Sequence, residues 1–93
     1  MFKSVFLAKI GDKETHTIKA EKNSGFWTAK FKCEVRIWVD GAEIFHGNRM
    51  VIDYSLYKFQ VGDKERHEVE LKTGVWLGSG LYLIVDGKTR VDG

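Results

Sequence analysis

At 93 residues the chain has room for one domain, and 43% hydrophobic with 13% aromatic residues is enough to pack a modest core, which excludes a disordered chain. Its 15 basic and 13 acidic side chains leave a net charge of +2, too small a bias to mandate a nucleic-acid partner. The single cysteine excludes an internal disulfide, and no apolar run suits a signal peptide or a membrane-spanning helix, so a cytoplasmic location is expected.

The first periodic segment places Phe6, Ala8 and Ile10 on one face, followed by Gly11-Asp12 and a returning strand whose inward residues are His16, Ile18 and Ala20. A two-residue Gly-Asp turn would send Ile18 to solvent, because a slip of one residue inverts every side chain. The sequence therefore asks for a three- or five-residue connection or a bulge. Pairing Ile10 with Glu14 would bring Ala8 to His16 and Phe6 to Ile18.

Residues 28 to 39 give the longest alternation. Ala29, Phe31, Cys33, Val35, Ile37 and Val39 fall on one side, and Thr28, Lys30, Lys32, Glu34, Arg36 and Trp38 on the other. A period of two is that of a strand with one buried face; a helix would scatter these residues around its surface. Asp40-Gly41 supplies the positive φ of a two-residue hairpin turn, and that register sets Ile37 opposite Ile44 and Val35 opposite His46. Gly47-Asn48 reads as the next turn.

Tyr57, Phe59 and Val61 then lead through Gly62-Asp63 to His67, Val69 and Leu71, with Phe59 expected opposite His67 and Tyr57 opposite Val69. Leu81 to Val85 is apolar at every position, the mark of a central strand or one covered on both faces. Asp86-Gly87 turns it into a last strand from Lys88 to Val91. The absence of proline suits uninterrupted ladders.

The segment from Ile10 to Ile18 matches that from Val61 to Val69 at an offset of 51, sharing Gly-Asp-Lys-Glu-x-His. Gly25-Phe26-Trp27 and Gly74-Val75-Trp76 follow in the same order, and an Asp-Gly hairpin completes each half. The expected organisation is a single domain, 1–93, with an internal repeat of about residues 4–46 and 55–92. The expected fold is all-β: an antiparallel β-sandwich of about eight strands in two pseudo-equivalent four-stranded halves.

Chemistry is sparse. His16 and His67 occupy equivalent places, but a zinc site needs three or four ligands, and Cys33 is the only thiol. Ser24, Ser55 and Ser79 lack the strand–turn–helix setting of a nucleophile elbow, and no glycine-rich segment leads into a helix to cradle a phosphate. Cys33 falls on the inward face as a small hydrophobe. No catalytic, cofactor-binding or metal residue is assigned, and the chain is not expected to be an enzyme. The candidate interaction surface is Lys30, Lys32, Arg36 and Trp38, where an outward Trp beside Arg matches the composition of contact hot spots. Coverage of Trp38 by Phe45 across the hairpin, or by a loop, is the equal alternative.

The residues Val35-Arg36-Ile37-Trp38-Val39-Asp40-Gly41-Ala42-Glu43-Ile44, Tyr57-Lys58-Phe59-Gln60-Val61-Gly62-Asp63 and Leu81-Tyr82-Leu83-Ile84-Val85-Asp86-Gly87-Lys88 together resemble the domain of the Fas apoptotic inhibitory molecule family. The resemblance covers most of the chain and implies a soluble, non-enzymatic β-sandwich that acts through protein contacts. That family usually has two such domains where this chain has room for one, and no functional residue is carried over. The expected function is a protein-interaction module, with possible pairing of two copies through edge strands. The alternative is a module binding carbohydrate or single-stranded nucleic acid through Trp38 and the basic row.

Overall fold

The computed structural model describes residues 2–24, 32–50, 55–73 and 80–93. Eight strands follow in order: β1 (Phe2–Ile10), β2 (His16–Ser24), β3 (Lys32–Val39), β4 (Ala42–Met50), β5 (Ser55–Val61), β6 (His67–Thr73), β7 (Leu81–Val85) and β8 (Thr89–Asp92). They form two antiparallel four-stranded sheets, β1-β2-β3-β4 and β5-β6-β7-β8, each strand beside its neighbour in sequence. The all-β sandwich in two pseudo-equivalent halves is the architecture the alternation predicted.

One core joins the sheets. Phe6, Ile10, Ile18, Ala20, Cys33, Val35 and Ile37 meet Leu56, Val61, Val69, Leu71, Leu81, Leu83 and Val85, all buried. At roughly 25 cal/mol per Å2 of apolar surface, this burial is the main term opposing the chain's conformational entropy. β7 lies between β6 and β8, and its residues alternate between buried and half-buried, so it is central rather than fully covered on both faces.

Register departs from expectation in four places. Ile10 pairs with His16 and Ala8 with Ile18, so five residues connect β1 to β2; Val61 pairs with His67 and Phe59 with Val69 in the same way. Both pairings are shifted by two residues from the three-residue version, which preserves the faces. The five-residue loop turns on Gly11 and Gly62, whose φ values are +105° and +100°. A Cβ on either would lie 1.9 Å from the carbonyl oxygen of Glu14 or Glu65. The Asp40-Gly41 turn forms as predicted with Val39 opposite Ala42, but the register then shifts, and Ile37 faces Phe45 while Val35 faces Gly47. This bulge leaves Ile44 exposed and sends Phe45 inward to stack on Tyr57 at 4.1 Å between ring centroids. Gly47-Asn48 is therefore strand, not turn: the Phe45 ring occupies the space a Cβ at Gly47 would need. The second Asp-Gly hairpin is one residue longer, since Val85 pairs with Thr89 and the Lys88 N–H donates to the Val85 carbonyl at 3.2 Å.

Candidate functional site

The repeated Gly-Asp-Lys-Glu-x-His segments meet at one end of the sandwich. The Glu14 carboxylate accepts the backbone N–H groups of Asp63, Lys64 and Glu65 at 2.8, 3.1 and 3.4 Å. Glu65 returns the arrangement, accepting those of Asp12, Lys13 and Glu14 at 2.8, 2.9 and 3.2 Å. Each five-residue loop turns successive N–H groups into a concavity suited to an anion, and the other half supplies the anion. These bonds hold both carboxylates down at a pKa of about 2, with the neighbouring histidines adding to the effect.

His16 sits between Glu14 on Nε2, at 2.7 Å, and Asp40 on Nδ1, at 2.6 Å; His67 sits between Glu65 and Asp86, both at 2.7 Å. Hydrogen bonds donated to two carboxylates raise each imidazole above its ordinary range, the aspartate contributing most. Each aspartate shares positive φ with the glycine that follows it in the hairpin turn and also accepts a backbone N–H from the neighbouring strand, Thr17 or Glu68. With both ring nitrogens hydrogen-bonded to carboxylates, each imidazole has its charged form favoured and ties loop, hairpin and strand together. The arrangement builds a joint between sheets in which both nitrogens of each imidazole hold a carboxylate partner.

A second cross-sheet contact is buried. Lys22 donates from Nζ to Thr73 Oγ1 at 3.0 Å, and Thr73 in turn donates to the Gly80 carbonyl at 3.2 Å. Both side chains are 2% exposed, and burial lowers the Lys22 amine from the usual lysine range. Cys33 is also buried, as its inward place on β3 requires.

The predicted surface is only partly assembled. Lys30, with Trp27, Trp76 and residues 28 to 31, lies outside the described residues, and only the backbone of Lys32 is described. Arg36 and Trp38 do share the outer face of the first sheet, both half-buried. Phe45 does not cover Trp38, because the β4 bulge turns it to the core. Two cations flank the indole instead: Lys19 Nζ is 5.1 Å and the Arg36 guanidinium 5.5 Å from the ring centroid. Arg36 bonds Glu43 at 3.1 Å, and Lys19 lies 3.7 Å from Glu21, so acidic neighbours spend much of this positive charge.

Sequence reasoning missed three members of this face. Val5 and Leu7, 59% and 60% exposed, stand outward on β1, and Lys19, opposite both Leu7 and Trp38, links Leu7 to the indole across β2. Their signal was present as the polar-side positions of β1, which carry two large aliphatic residues. Among the described residues, no three histidine, cysteine or carboxylate side chains are grouped to hold a metal ion, and no helix is long and apolar enough to cross a membrane. No protein-family model, no curated protein and no solved structure matches the chain.

Proposed function

We propose that the chain is a non-enzymatic cytoplasmic interaction module, a single domain that binds a protein partner through the outer face of its first sheet, with Arg36 and Trp38 at the centre. One observation carries this reading. The outer rows of the two sheets are built on equivalent strands, yet among the described residues the exposed large aliphatic side chains, Val5, Leu7 and Ile44, all belong to the first sheet, the one that carries Trp38. Aromatic and Arg residues contribute most at contact centres, and exposed aliphatic residues at their margin exclude water. The resemblance to the Fas apoptotic inhibitory molecule family supports a contact role of this kind. The recurrence of Gly-Asp-Lys-Glu-x-His supports reading residues 4–46 and 55–92 as copies of one unit.

The test is affinity capture from the native host with wild-type and Trp38→Ala baits, paired with thermal denaturation of both. The reading expects Trp38→Ala to lose a specific captured protein with little loss of stability. Unchanged capture would remove this face. The alternative, a platform for single-stranded nucleic acid, draws on the cations beside Trp38. It expects a salt-sensitive gel shift with short single strands, and no shift at low salt would eliminate it.

A further inference from the structure

Four strands border the two sheets: β1 and β4 in the first, β5 and β8 in the second. An edge strand presents unpaired N–H and C=O groups, and proteins blunt such edges with bulges, shortness and charge. β4 carries a bulge beside Ile44, and β5 carries one at Leu56. β8 is four residues long, with Arg90 and Asp92 on it. β1 is neither bulged nor short: it is nine residues long, lacks proline and pairs with β2 without a register shift, so charge is the one such device it carries. Its outward side chains are Lys3, Val5, Leu7 and Lys9, all exposed, so two lysines bracket two aliphatic residues, with Lys3 also 3.6 Å from Glu21 on β2.

That pattern selects among occupants. An antiparallel second copy would align its aliphatic residues only with Val5 opposite Leu7, and this register sets Lys3 opposite Lys9 at both ends of the contact; a parallel copy in register sets each lysine beside itself. Like charges directly opposite are destabilising, and the adjacent in-phase registers put a lysine against Val5 or Leu7. An acidic strand meets the same edge favourably. Resting on the reading of the chain as an interaction module, we infer that β1 binds an extended peptide segment of a partner protein by strand addition. Alternate residues of that segment read acidic, apolar, apolar, acidic. The backbone ladder supplies affinity, and the paired side chains supply selectivity. The pattern reads the same in both directions, so it suits either strand polarity.

The probe is a fluorescently labelled peptide of sequence Ser-Glu-Thr-Val-Thr-Val-Thr-Glu-Ser, titrated into the 93-residue chain, with amide chemical shifts followed by NMR. Shifts confined to β1 and the neighbouring β2 are expected, with affinity falling about tenfold when both glutamates are replaced by lysine. The double variant K3E/K9E should reverse that preference. The single variant Lys3→Glu makes the edge self-complementary and should raise the sedimentation coefficient with concentration, whereas the wild type should not self-associate through β1. Equal binding of the Glu and Lys peptides, shifts away from β1, or no binding at millimolar peptide would each overturn the assignment. So would wild-type dimers that Lys3→Glu leaves unchanged. Thermal melts of each variant confirm that the fold is kept. Failure here with Trp38→Ala still losing its captured partner would reject the edge and leave the sheet-face reading standing; the reverse result would reject the face and keep the edge.

Discussion

Across the first sheet, one outward row reads Leu7, Lys19, Trp38 and Glu43; across the second, the corresponding row reads Lys58, Glu70, Ile84 and Arg90. The first row is aliphatic at its edge and aromatic at its centre. The second opens with an opposed Lys–Glu pair, and its neighbouring face carries Tyr82 beneath the Arg90 guanidinium at 4.0 Å. Where the sheets join, the halves instead match atom for atom: Glu14 answers Glu65, His16 answers His67 and Asp40 answers Asp86. Matched residues maintain the joint between halves, while the mismatched ones are free to differ because solvent, not the other sheet, is their neighbour. The histidines therefore help hold the two halves together, and the proposed recognition face is built from residues that one half has and the other lacks.

The strongest way to break the comparison is in the core. Positions 20 and 71 are equivalent, yet one holds Ala and the other Leu, both fully buried. Leu71→Ala should cost about 2–5 kcal/mol, the range for a large-to-small core change with incomplete relaxation. Ala20→Leu, which would make the halves alike, should cost about 1–3 kcal/mol through overpacking. Urea denaturation measures both. A neutral Ala20→Leu would mean that the halves tolerate symmetry in the core.

The joint comes next. Glu14→Ala and Glu65→Ala should each lower the denaturation midpoint by less than Leu71→Ala does. Because the two loops clamp one another, the double variant should lose less than the sum of the singles. Fully additive losses would show that each carboxylate serves only the loop it binds.

Much of this was legible in advance, for a physical reason. A period of two declares a strand and its inward face directly, so Phe6, Ile18, Val35, Ile37, Val69, Leu71 and Leu83 were readable as core. Register was less legible, because the parity of a turn is constrained by the faces but its length is not: three and five residues both keep Ile18 inside. The β4 bulge leaves no signal in the alternation, and without it the two-residue turn sets Phe45 on the outer face beside Trp38. The Glu14–Glu65 exchange involves residues 51 apart in sequence, and only the repeated motif hinted at it.

A pH series tests the same joint with a smaller perturbation. Glu14 and Glu65 titrate at about 2 when folded, below their ordinary 4.5, so the unfolded chain binds more protons between these values. Stability should rise with pH across that interval and be fully established above it. Asp40, Asp86 and Glu34 are also lowered and act in the same direction. His16 and His67 are raised above 6.5, so their contribution is complete below that value and declines as pH rises through the folded value. Urea midpoints should thus plateau between about pH 4.5 and 6.5 and fall on both sides. The double Glu→Ala variant should flatten the acid limb most, and an unchanged acid limb would assign it to other carboxylates.

The smallest expected effect is the one that sharpens the comparison of outer faces. Lys19 lies opposite Trp38 with its ammonium 5.1 Å from the ring centroid, and its counterpart Glu70 lies opposite Ile84. An exposed cation over an indole contributes about 0.5–1 kcal/mol. Glu21, 3.7 Å from the same ammonium, competes for it and favours the lower end. A double-mutant cycle with Lys19→Met and Trp38→Leu keeps much of the packing while removing charge and ring, so its coupling energy should fall in that range. The equivalent cycle with Glu70→Met and Ile84→Leu should give none, because a carboxylate gains nothing from an aliphatic neighbour. Equal coupling in the two cycles would mean that both rows are ordinary cross-strand packing. A difference between them would place the chemistry that separates the halves on the solvent side of the first sheet, where Trp38 is held ready by its cations rather than by the core.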